Sequence, residues 1–207
     1  MVPVLAFGLA SVPAQAETGT GDKLFDSVSI YAGQGADHSL VHLPEKIVNG
    51  RLDWDPSYFT AVGVGRMRTT LGQSFNSLEG SALGSIKHGY ELLFVQHRGL
   101  QSNGELGAAY MLRTPDLELG PVGVNFAAGS GLSYALGRPS YEDGPKGDPD
   151  RRYRLQLLAL FELEWRVFGL ENWSFVTRVH HRSGVFGVIA PRRVGSNFLA
   201  AGIRYQF

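Results

Sequence analysis

One segment of the chain, RLQLLALFELEWRVF at 154–168, alternates apolar and polar side chains almost without a break. Successive residues of a β-strand point to opposite faces, so a period of two sorts the side chains into two sets. The apolar face carries Leu155, Leu157, Ala159, Phe161, Leu163, Trp165 and Val167. The polar face carries Arg154, Gln156, Glu162, Glu164 and Arg166. A chain built from such strands must hold its two faces in different environments.

The same period recurs along the chain and predicts eight strands. They span 27–35, 57–69, 87–97, 104–114, 121–134, 151–167, 172–183 and 196–207. Each is long enough to cross a bilayer as a tilted strand, which takes about 9–11 residues. Glycine, with 27 of 207 residues, is enriched well above its usual share of roughly 7%, which favours turns and close backbone approaches over helices. The predicted fold is therefore all-β, an eight-stranded antiparallel barrel of the outer-membrane type.

Alternation alone does not decide which face points inward. In an outer-membrane barrel the apolar face meets lipid and the charges fill the lumen, whereas a soluble barrel reverses this arrangement. The charged faces are balanced in sign, as a narrow lumen requires if it is to pair its charges, through Glu162, Glu164, Arg166, Arg178 and Arg204. Aromatic residues lie near predicted strand ends, where lipid headgroups favour them: Trp54, Tyr58, Phe59, Trp173, Tyr205 and Phe207. These features favour the membrane barrel, and a soluble periplasmic barrel that holds an apolar ligand stays as an alternative.

The lengths of the connections indicate an orientation. With the N-terminus in the periplasm, odd-numbered connections should be extracellular and long, and even-numbered ones periplasmic and short. The connections at 36–56, 135–150 and 184–195 are long, and those at 115–120 and 168–171 are short, as expected. Two connections depart from the pattern, 70–86 by its length and 98–103 by its shortness.

Both ends of the chain indicate export to the outer membrane. VPVLAFGLASVPAQA is apolar and ends in a small-x-small motif, which predicts a signal peptide at 1–16 and a single barrel domain at 17–207. The final strand ends in Phe207, as in barrels that the outer-membrane assembly machinery recognises. The chain has no cysteine, so this domain would fold without disulfides, and its net charge of zero indicates no nucleic-acid partner.

The segment RVHHRSGVF at 178–186 holds the main candidate for chemistry. Alternation puts His181 and Ser183 on the lipid-facing side at the extracellular end of the seventh strand, and His180 among the luminal charges. Two interpretations remain open, a polar pair at the membrane interface and a serine nucleophile with its histidine base.

The His181-x-Ser183 pair on the penultimate strand, followed by a loop and a last strand ending in Phe207, resembles the outer-membrane lipid A deacylases of the acyloxyacyl-hydrolase type. The resemblance implies that Ser183 is the nucleophile and His181 the general base. It also implies that an ester-linked acyl chain is removed from lipid A, with no metal or other cofactor. Lipid A or lipopolysaccharide of the outer leaflet would be the partner, and a homodimer is left open.

The glutamate that orients the histidine in that family, about a dozen residues after the serine, has no counterpart in RRVGSNF at 192–198. Asn197 could take its place through the side-chain carbonyl, as Asn does in some Cys–His proteases, or Glu142 could fold over from its long loop. Backbone N–H groups around Gly184 or Gly187 could hold the oxyanion. Three arginines, Arg182, Arg192 and Arg193, could bind lipid A phosphates or form a generic basic rim.

Other features favour less specific roles. His38 and His42 are four residues apart, a spacing that can bind metal on a helix, but they lie in a predicted loop and indicate surface positions. His97 is expected at the same end as His181, where it either joins a shared site or only adds polarity to the strand end. The alternative function is that of a non-enzymatic small outer-membrane barrel, serving adhesion or envelope integrity.

Overall fold

The computed structural model describes residues 23–142, 153–170, 172–191 and 194–207. The predicted signal peptide at 1–16 and two arginines of the proposed basic rim, Arg192 and Arg193, lie outside the described residues.

Nine strands form a single closed antiparallel sheet in the described part of the chain. They are β1 (Ser27–Ala36), β2 (Trp54–Thr70), β3 (Lys87–Gly99), β4 (Gly104–Arg113), β5 (Leu117–Leu119), β6 (Val122–Ala135), β7 (Leu155–Val167), β8 (Trp173–Ser183) and β9 (Gly195–Gln206). The hydrogen-bonded order is β4-β3-β2-β1-β9-β8-β7-β6, and β4 pairs with β6 to close the barrel. The short β5 pairs only with one end of β6. Eight long strands therefore make the barrel, which confirms the predicted fold class.

Helical structure is confined to the connections. Helix α1 (Leu43–Val48) lies between β1 and β2, and α2 (Leu71–Ser74) lies between β2 and β3. Single 3₁₀ turns occur at Asn76–Leu78, Leu83–Ser85, Ser140–Glu142 and Val185–Gly187. The connection at 70–86 is long because it folds into turns of its own, beginning with a capping box at Thr70 and Gln73. No helix among the described residues is long and apolar enough to cross a membrane, a finding that concerns helices alone.

The two ends of the barrel differ in their connections. At the termini end, Ser27 of β1 pairs with Gln206 of β9. The opposite end, called the loop end below, carries the described connecting residues 37–53, 100–103, 136–142, 153–154, 184–191 and 194. The candidate residues near His181 are at this loop end.

The apolar face of the barrel wall points outward. On β7, Leu155, Leu163 and Trp165 are 46%, 42% and 37% exposed, whereas Glu162 and Glu164 are each 1% exposed. The apolar side chains therefore point outward and the charged ones inward, as in a membrane barrel. The alternative of a soluble barrel, with an apolar centre and outward charges, is wrong.

The lumen is filled by two polar clusters with an apolar layer between them. Near the termini end, three carboxylates (Glu91, Glu162 and Glu164) pair with three guanidinium groups (Arg113, Arg178 and Arg204). Leu158 and Leu160 of β7 belong to the apolar layer. The second polar cluster, at the loop end, includes Glu105 and Glu142. The charged side chains in the lumen are balanced in sign and paired with one another, as predicted.

The predicted aromatic residues at the strand ends face outward with one exception. Trp54, Tyr58, Trp173 and Phe207 are between 46% and 49% exposed. Phe59 is only 3% exposed, and its ring packs in the lumen 5.2 Å from that of Phe198. The prediction for Phe59 was wrong because alternation along β2 turns it inward when Tyr58 points outward.

Candidate functional site

His181 and Ser183 lie on the outer wall of β8, near its loop end. Burial alternates along this strand, so that Arg178, His180 and Arg182 are buried while His181 and Ser183 are partly exposed. Since residues two apart share a strand face, the two side chains are neighbours on the surface that faces away from the lumen.

Asn197 stands directly across from His181 in the β8–β9 ladder. The imidazole Nδ1 lies 2.7 Å from the Asn197 side-chain oxygen Oδ1. The Asn197 amide nitrogen Nδ2 donates to the backbone carbonyl of His38 at 2.6 Å. The His38 carbonyl can only accept, so the NH₂ group of Asn197 must point toward it and Oδ1 must face the imidazole. Since Oδ1 can also only accept, Nδ1 of His181 must carry the proton. The neutral ring is left with a lone pair on Nε2, as a general base requires.

Within the described part of the chain, no hydrogen bond joins Ser183 to His181. Hydrogen bonds between catalytic groups are often long before substrate binds and tighten in the complex. Proton transfer would require the Ser183 hydroxyl to approach Nε2 of His181.

Glu142 is on the other side of the barrel wall. Its carboxylate accepts from Arg182 Nη1 at 2.6 and 2.8 Å, from Gln156 Nε2 at 2.6 Å and from Ser196 Oγ at 3.0 Å. Of the two residues predicted to orient His181, Asn197 is therefore the one hydrogen-bonded to it. The catalytic role of either residue stays a prediction.

Arg182 is fully buried in this luminal cluster. The expectation that it binds lipid A phosphates was wrong, because alternation along β8 points it inward when its neighbours His181 and Ser183 point outward.

The turn after Ser183 carries the backbone N–H groups around Gly184 and Gly187 that were predicted to hold the oxyanion. The Gly184 N–H donates to the Val194 carbonyl at 3.2 Å, and the Gly187 N–H donates to the Gly184 carbonyl at 3.3 Å. The N–H groups of Gly184 and Gly187 themselves are thus already hydrogen-bonded. Gly184 has a right-handed conformation (φ −80°, ψ 3°), and the next residue, Val185, is in the left-handed region (φ 51°). Adjacent right- and left-handed residues turn successive N–H groups toward one concavity, which makes the Val185 N–H the better candidate.

An apolar groove of about 890 Å³ lies on the outer wall beside the pair. Its lining includes Val179 of β8 and Leu199 of β9, which are two residues from His181 and Asn197 along their strands. Ala32 and Ala201 are small side chains in this lining, and Ile47 of α1 projects over it from the β1–β2 connection. The groove therefore comes within two residues of His181 and of Asn197 along their strands.

The other histidines belong to different places. His97 Nε2 lies 2.7 Å from Glu105 in the lumen, and His180 Nε2 lies 3.0 Å from the same carboxylate. The barrel wall separates them from His181, so the shared site considered for His97 was wrong, and strand-end polarity describes it better.

The side chains of the two predicted surface histidines contact residues close to them in the sequence. His42 Nδ1 lies 2.8 Å from Ser39 Oγ, and His38 Nε2 accepts from the Asp53 N–H at 3.0 Å. No group of three or more His, Cys, Asp or Glu side chains among the described residues is arranged to hold a metal ion.

A further serine–histidine contact, between residues that no sequence pattern had singled out, lies far from the candidate site. At the termini end, Ser74 Oγ lies 2.7 Å from His88 Nε2, and Tyr110 OH lies 2.7 Å from His88 Nδ1. The only signal was indirect, since the connection that carries Ser74 is too long for a simple turn.

No family model matches the sequence, and no curated protein matches it either. Solved structures with a similar fold are found. The outer membrane enzyme PagL superposes with a TM-score of 0.56 at 11% identity, covering 87% of this chain and 99% of that one. Neisserial surface protein A (NspA) has a TM-score of 0.47 at 11% identity, covering 87% and 96%. The N-terminal β-barrel domain of Pseudomonas aeruginosa OprF has a TM-score of 0.41 at 10% identity, covering 88% and 98%. At such identity the likeness to PagL concerns the fold alone, and the chain has the closed eight-stranded barrel fold of an outer-membrane protein.

Proposed function

We propose that the protein is a bacterial outer-membrane hydrolase that removes an ester-linked acyl chain from lipid A, with Ser183 as nucleophile and His181 as general base. One observation carries the proposal: on the outer wall, His181 Nδ1 is held 2.7 Å from Asn197 Oδ1, beside an apolar groove. A histidine oriented this way on a lipid-facing wall is suited to an ester at the membrane surface, not to a solute in a pore.

The position of the pair in the membrane supports this substrate class. An exported barrel with its N-terminus in the periplasm has its loop end in the outer leaflet, where lipid A resides. His181 and Ser183 are near the loop end of β8, at the level where the ester linkages of lipid A lie between its sugars and its hydrocarbon chains. The apolar wall supports insertion by the outer-membrane assembly machinery.

The chemistry would proceed in two balanced steps. As Ser183 Oγ attacks the acyl carbonyl carbon, His181 Nε2 takes its proton, and the ester C–O bond then breaks as the leaving sugar hydroxyl takes that proton back. Water then attacks the same carbonyl carbon and gives a proton to Nε2, and the bond from Ser183 Oγ to that carbon breaks as Oγ takes the proton back, which releases the fatty acid. The Val185 N–H would donate to the oxyanion, and Asn197 would keep the proton on Nδ1 throughout.

The groove would orient the acyl chain more than attract it. A lipid chain in the bilayer already lies in hydrocarbon, so its transfer into the groove brings little hydrophobic gain. The groove lining, with Val179 and Leu199 next to the pair, would hold the first part of the chain so that the carbonyl lies at Ser183.

A non-enzymatic outer-membrane barrel is the second candidate. The observation that favours it is the lack of a hydrogen bond between Ser183 and His181 among the described residues, together with an amide where the deacylases carry an acid. In that case the pair would only add polarity to the wall at headgroup level.

Mass spectrometry of lipid A distinguishes the two candidates. Cells that express the wild type should lose one acyl chain from lipid A, and cells that express Ser183→Ala should keep it. Ser102→Ala, at an exposed position of the β3–β4 connection, is the matched control and should behave as the wild type. Equal amounts of folded barrel are verified by protease resistance, and identical lipid A in all three strains would remove the enzymatic proposal.

A further inference from the structure

We infer that two loops beside the candidate site dip into the acyl-chain layer of the surrounding lipid leaflet. Four apolar side chains, called the apolar rim below, carry the inference: Val41, Val48, Phe186 and Val188, at 84%, 85%, 89% and 82% exposure. Leu24, the next most exposed large apolar side chain among the described residues, reaches only 66%. Exposed apolar groups that gather in one region of a surface mark an interaction site.

All four side chains belong to two connections that adjoin the candidate site. Val41 and Val48 are in the β1–β2 connection, which contacts β9 through the 2.6 Å bond from Asn197 to the His38 carbonyl. Phe186 and Val188 follow Ser183 directly, in the β8–β9 connection. The two connections that carry the apolar rim therefore adjoin the His181–Asn197 contact.

The β1–β2 connection extends along the outside of the wall. Ile47 and Pro44 of α1 line the groove together with Leu199 of β9. This connection therefore reaches the outer wall that lipid would cover.

The fold maintains the projection of Phe186 against backbone strain. Val185 and Phe186 have φ values of 51° and 54°, a left-handed conformation that β-branched and aromatic residues rarely adopt. The N–H groups of Gly187, Ile189 and Ala190 all donate to the Gly184 carbonyl, which locks the turn. Gly184 is itself required, since a Cβ there would approach the Ala190 carbonyl oxygen to 2.2 Å. Strain held in place by surrounding contacts is common at functional sites.

Hydrocarbon is the occupant that accounts for these observations together. The connection that carries Val41 and Val48 also lines the apolar groove on the outer wall through Pro44 and Ile47, and all four side chains of the apolar rim are hydrocarbon. The inference uses the outer-membrane placement of the proposed function, but it does not depend on catalysis. Inserted loops would thin the headgroup layer next to Ser183 and give a lipid ester access to it.

Spin labelling tests the depth of the loops, because a chain without cysteine accepts single labels without background. Labels at Val48→Cys and Phe186→Cys are compared in phosphatidylcholine vesicles with Val62→Cys on the outer wall and Ser102→Cys in the β3–β4 connection. The readout is the ratio of relaxation by dissolved oxygen to relaxation by a water-soluble nickel chelate. The ratio at Val48 and Phe186 should match that at Val62 and exceed that at Ser102 severalfold.

Two results would overturn the inference, and they differ in what else they affect. If Val62 is lipid-exposed while Val48 and Phe186 match Ser102, the loops stay in water and only this inference fails. If Val62 is also in water, the barrel is not inserted, and the membrane placement of the proposed function fails with it.

Discussion

At the scale of single residues, an amide in the place of an acid limits what His181 can do. A carboxylate beside the imidazole both selects the tautomer and stabilises the imidazolium that forms when the ring takes a proton. Asn197 has the geometry for the first role, through its bonds to His181 and to the His38 carbonyl, but its neutral oxygen contributes less to the second. The proposed enzyme should therefore be slow relative to one with an acid at this position.

The contribution of Asn197 is measurable. In Asn197→Ala the imidazole loses its partner at Nδ1, and we expect the rate of lipid A deacylation to fall on the order of a hundredfold. Asn49→Ala, at an exposed position after α1, is the matched control and should keep the wild-type rate. Initial rates on purified lipid A in detergent provide the measurement, and an unchanged rate in Asn197→Ala would show that the histidine is oriented by something else.

The luminal ion network makes a separate prediction at Glu162. This buried carboxylate accepts from Arg113 at 2.8 Å and from Arg204 at 3.1 Å, and it also pairs with Arg178. Glu162→Gln leaves three guanidinium groups with two carboxylates, so an uncompensated charge remains in the lumen. We expect the free energy of unfolding to fall by about 3–5 kcal/mol.

Urea unfolding of the barrel in lipid vesicles measures this loss. Glu118→Gln, at an exposed position in β5, removes the same charge outside the lumen and should change the free energy of unfolding by less than about 0.5 kcal/mol. Equal stability of the two variants would mean that the network is hydrated and adds little to the fold.

At the scale of elements, the strands could be predicted and the loop contacts could not. The β7 alternation is a local pattern, so Glu162 and Leu163 could be assigned to opposite faces from sequence alone. The bond from Asn197 to the His38 carbonyl joins residues that are 159 positions apart, and no local pattern encodes it. The same holds for Glu142, which the sequence offered as a partner for His181 and which the fold pairs with Arg182.

The 3₁₀ turn at Ser140–Glu142 shows what such long-range contacts do. Glu142 extends into the lumen to Arg182, while Tyr141 donates to the Asp55 carboxylate at 2.5 Å. Burial and the bond to Asp55 raise the pKa of the Tyr141 phenol, so it remains a donor throughout the physiological range. The β6–β7 connection is thereby fastened across the loop end of the lumen.

The prediction at the scale of elements concerns the β4–β6 seam, the strand pairing that closes the sheet. A Cβ on Gly131 would lie 1.9 Å from the Ala108 carbonyl oxygen and 2.7 Å from the Ala109 Cα, both backbone atoms. Gly131→Ala must therefore push β4 and β6 apart, and we expect a loss of about 1–3 kcal/mol in the free energy of unfolding.

Gly123→Ala, on the same strand, is the control for the seam. The new methyl group there would find its nearest neighbour, Asp116 Cβ, at an ordinary 3.4 Å. Its free energy of unfolding should stay close to that of the wild type. If Gly131→Ala folds as well as Gly123→Ala, the close approach of the two strands is not required for closure.

At the scale of the whole molecule, everything proposed for the outer wall depends on which way the two faces of the strands point. The apolar side chains point outward and the charged ones inward, which is the reverse of a soluble protein. Among the described residues, the lumen is occupied by paired charges and by an apolar layer that includes Leu158 and Leu160. A filled lumen leaves the outer wall and the loops as the surfaces on which a ligand can act. This is why the orientation of His181 and the exposure of Phe186 matter more than the many polar groups inside.

The substitution Val62→Arg tests directly whether hydrocarbon covers the apolar outer wall. Val62 lies midway along β2, is 47% exposed and pairs with Ile30 and Phe94, so it is in the middle of the apolar belt. An arginine at that depth of a membrane barrel should cost about 2–4 kcal/mol, whereas on a water-exposed wall it should cost less than about 0.5 kcal/mol. The measurement is urea unfolding in phosphatidylcholine vesicles, with Ser102→Arg as the control outside the belt. Because arginine is well tolerated in water, a Val62→Arg barrel as stable as Ser102→Arg would mean that no hydrocarbon covers this wall.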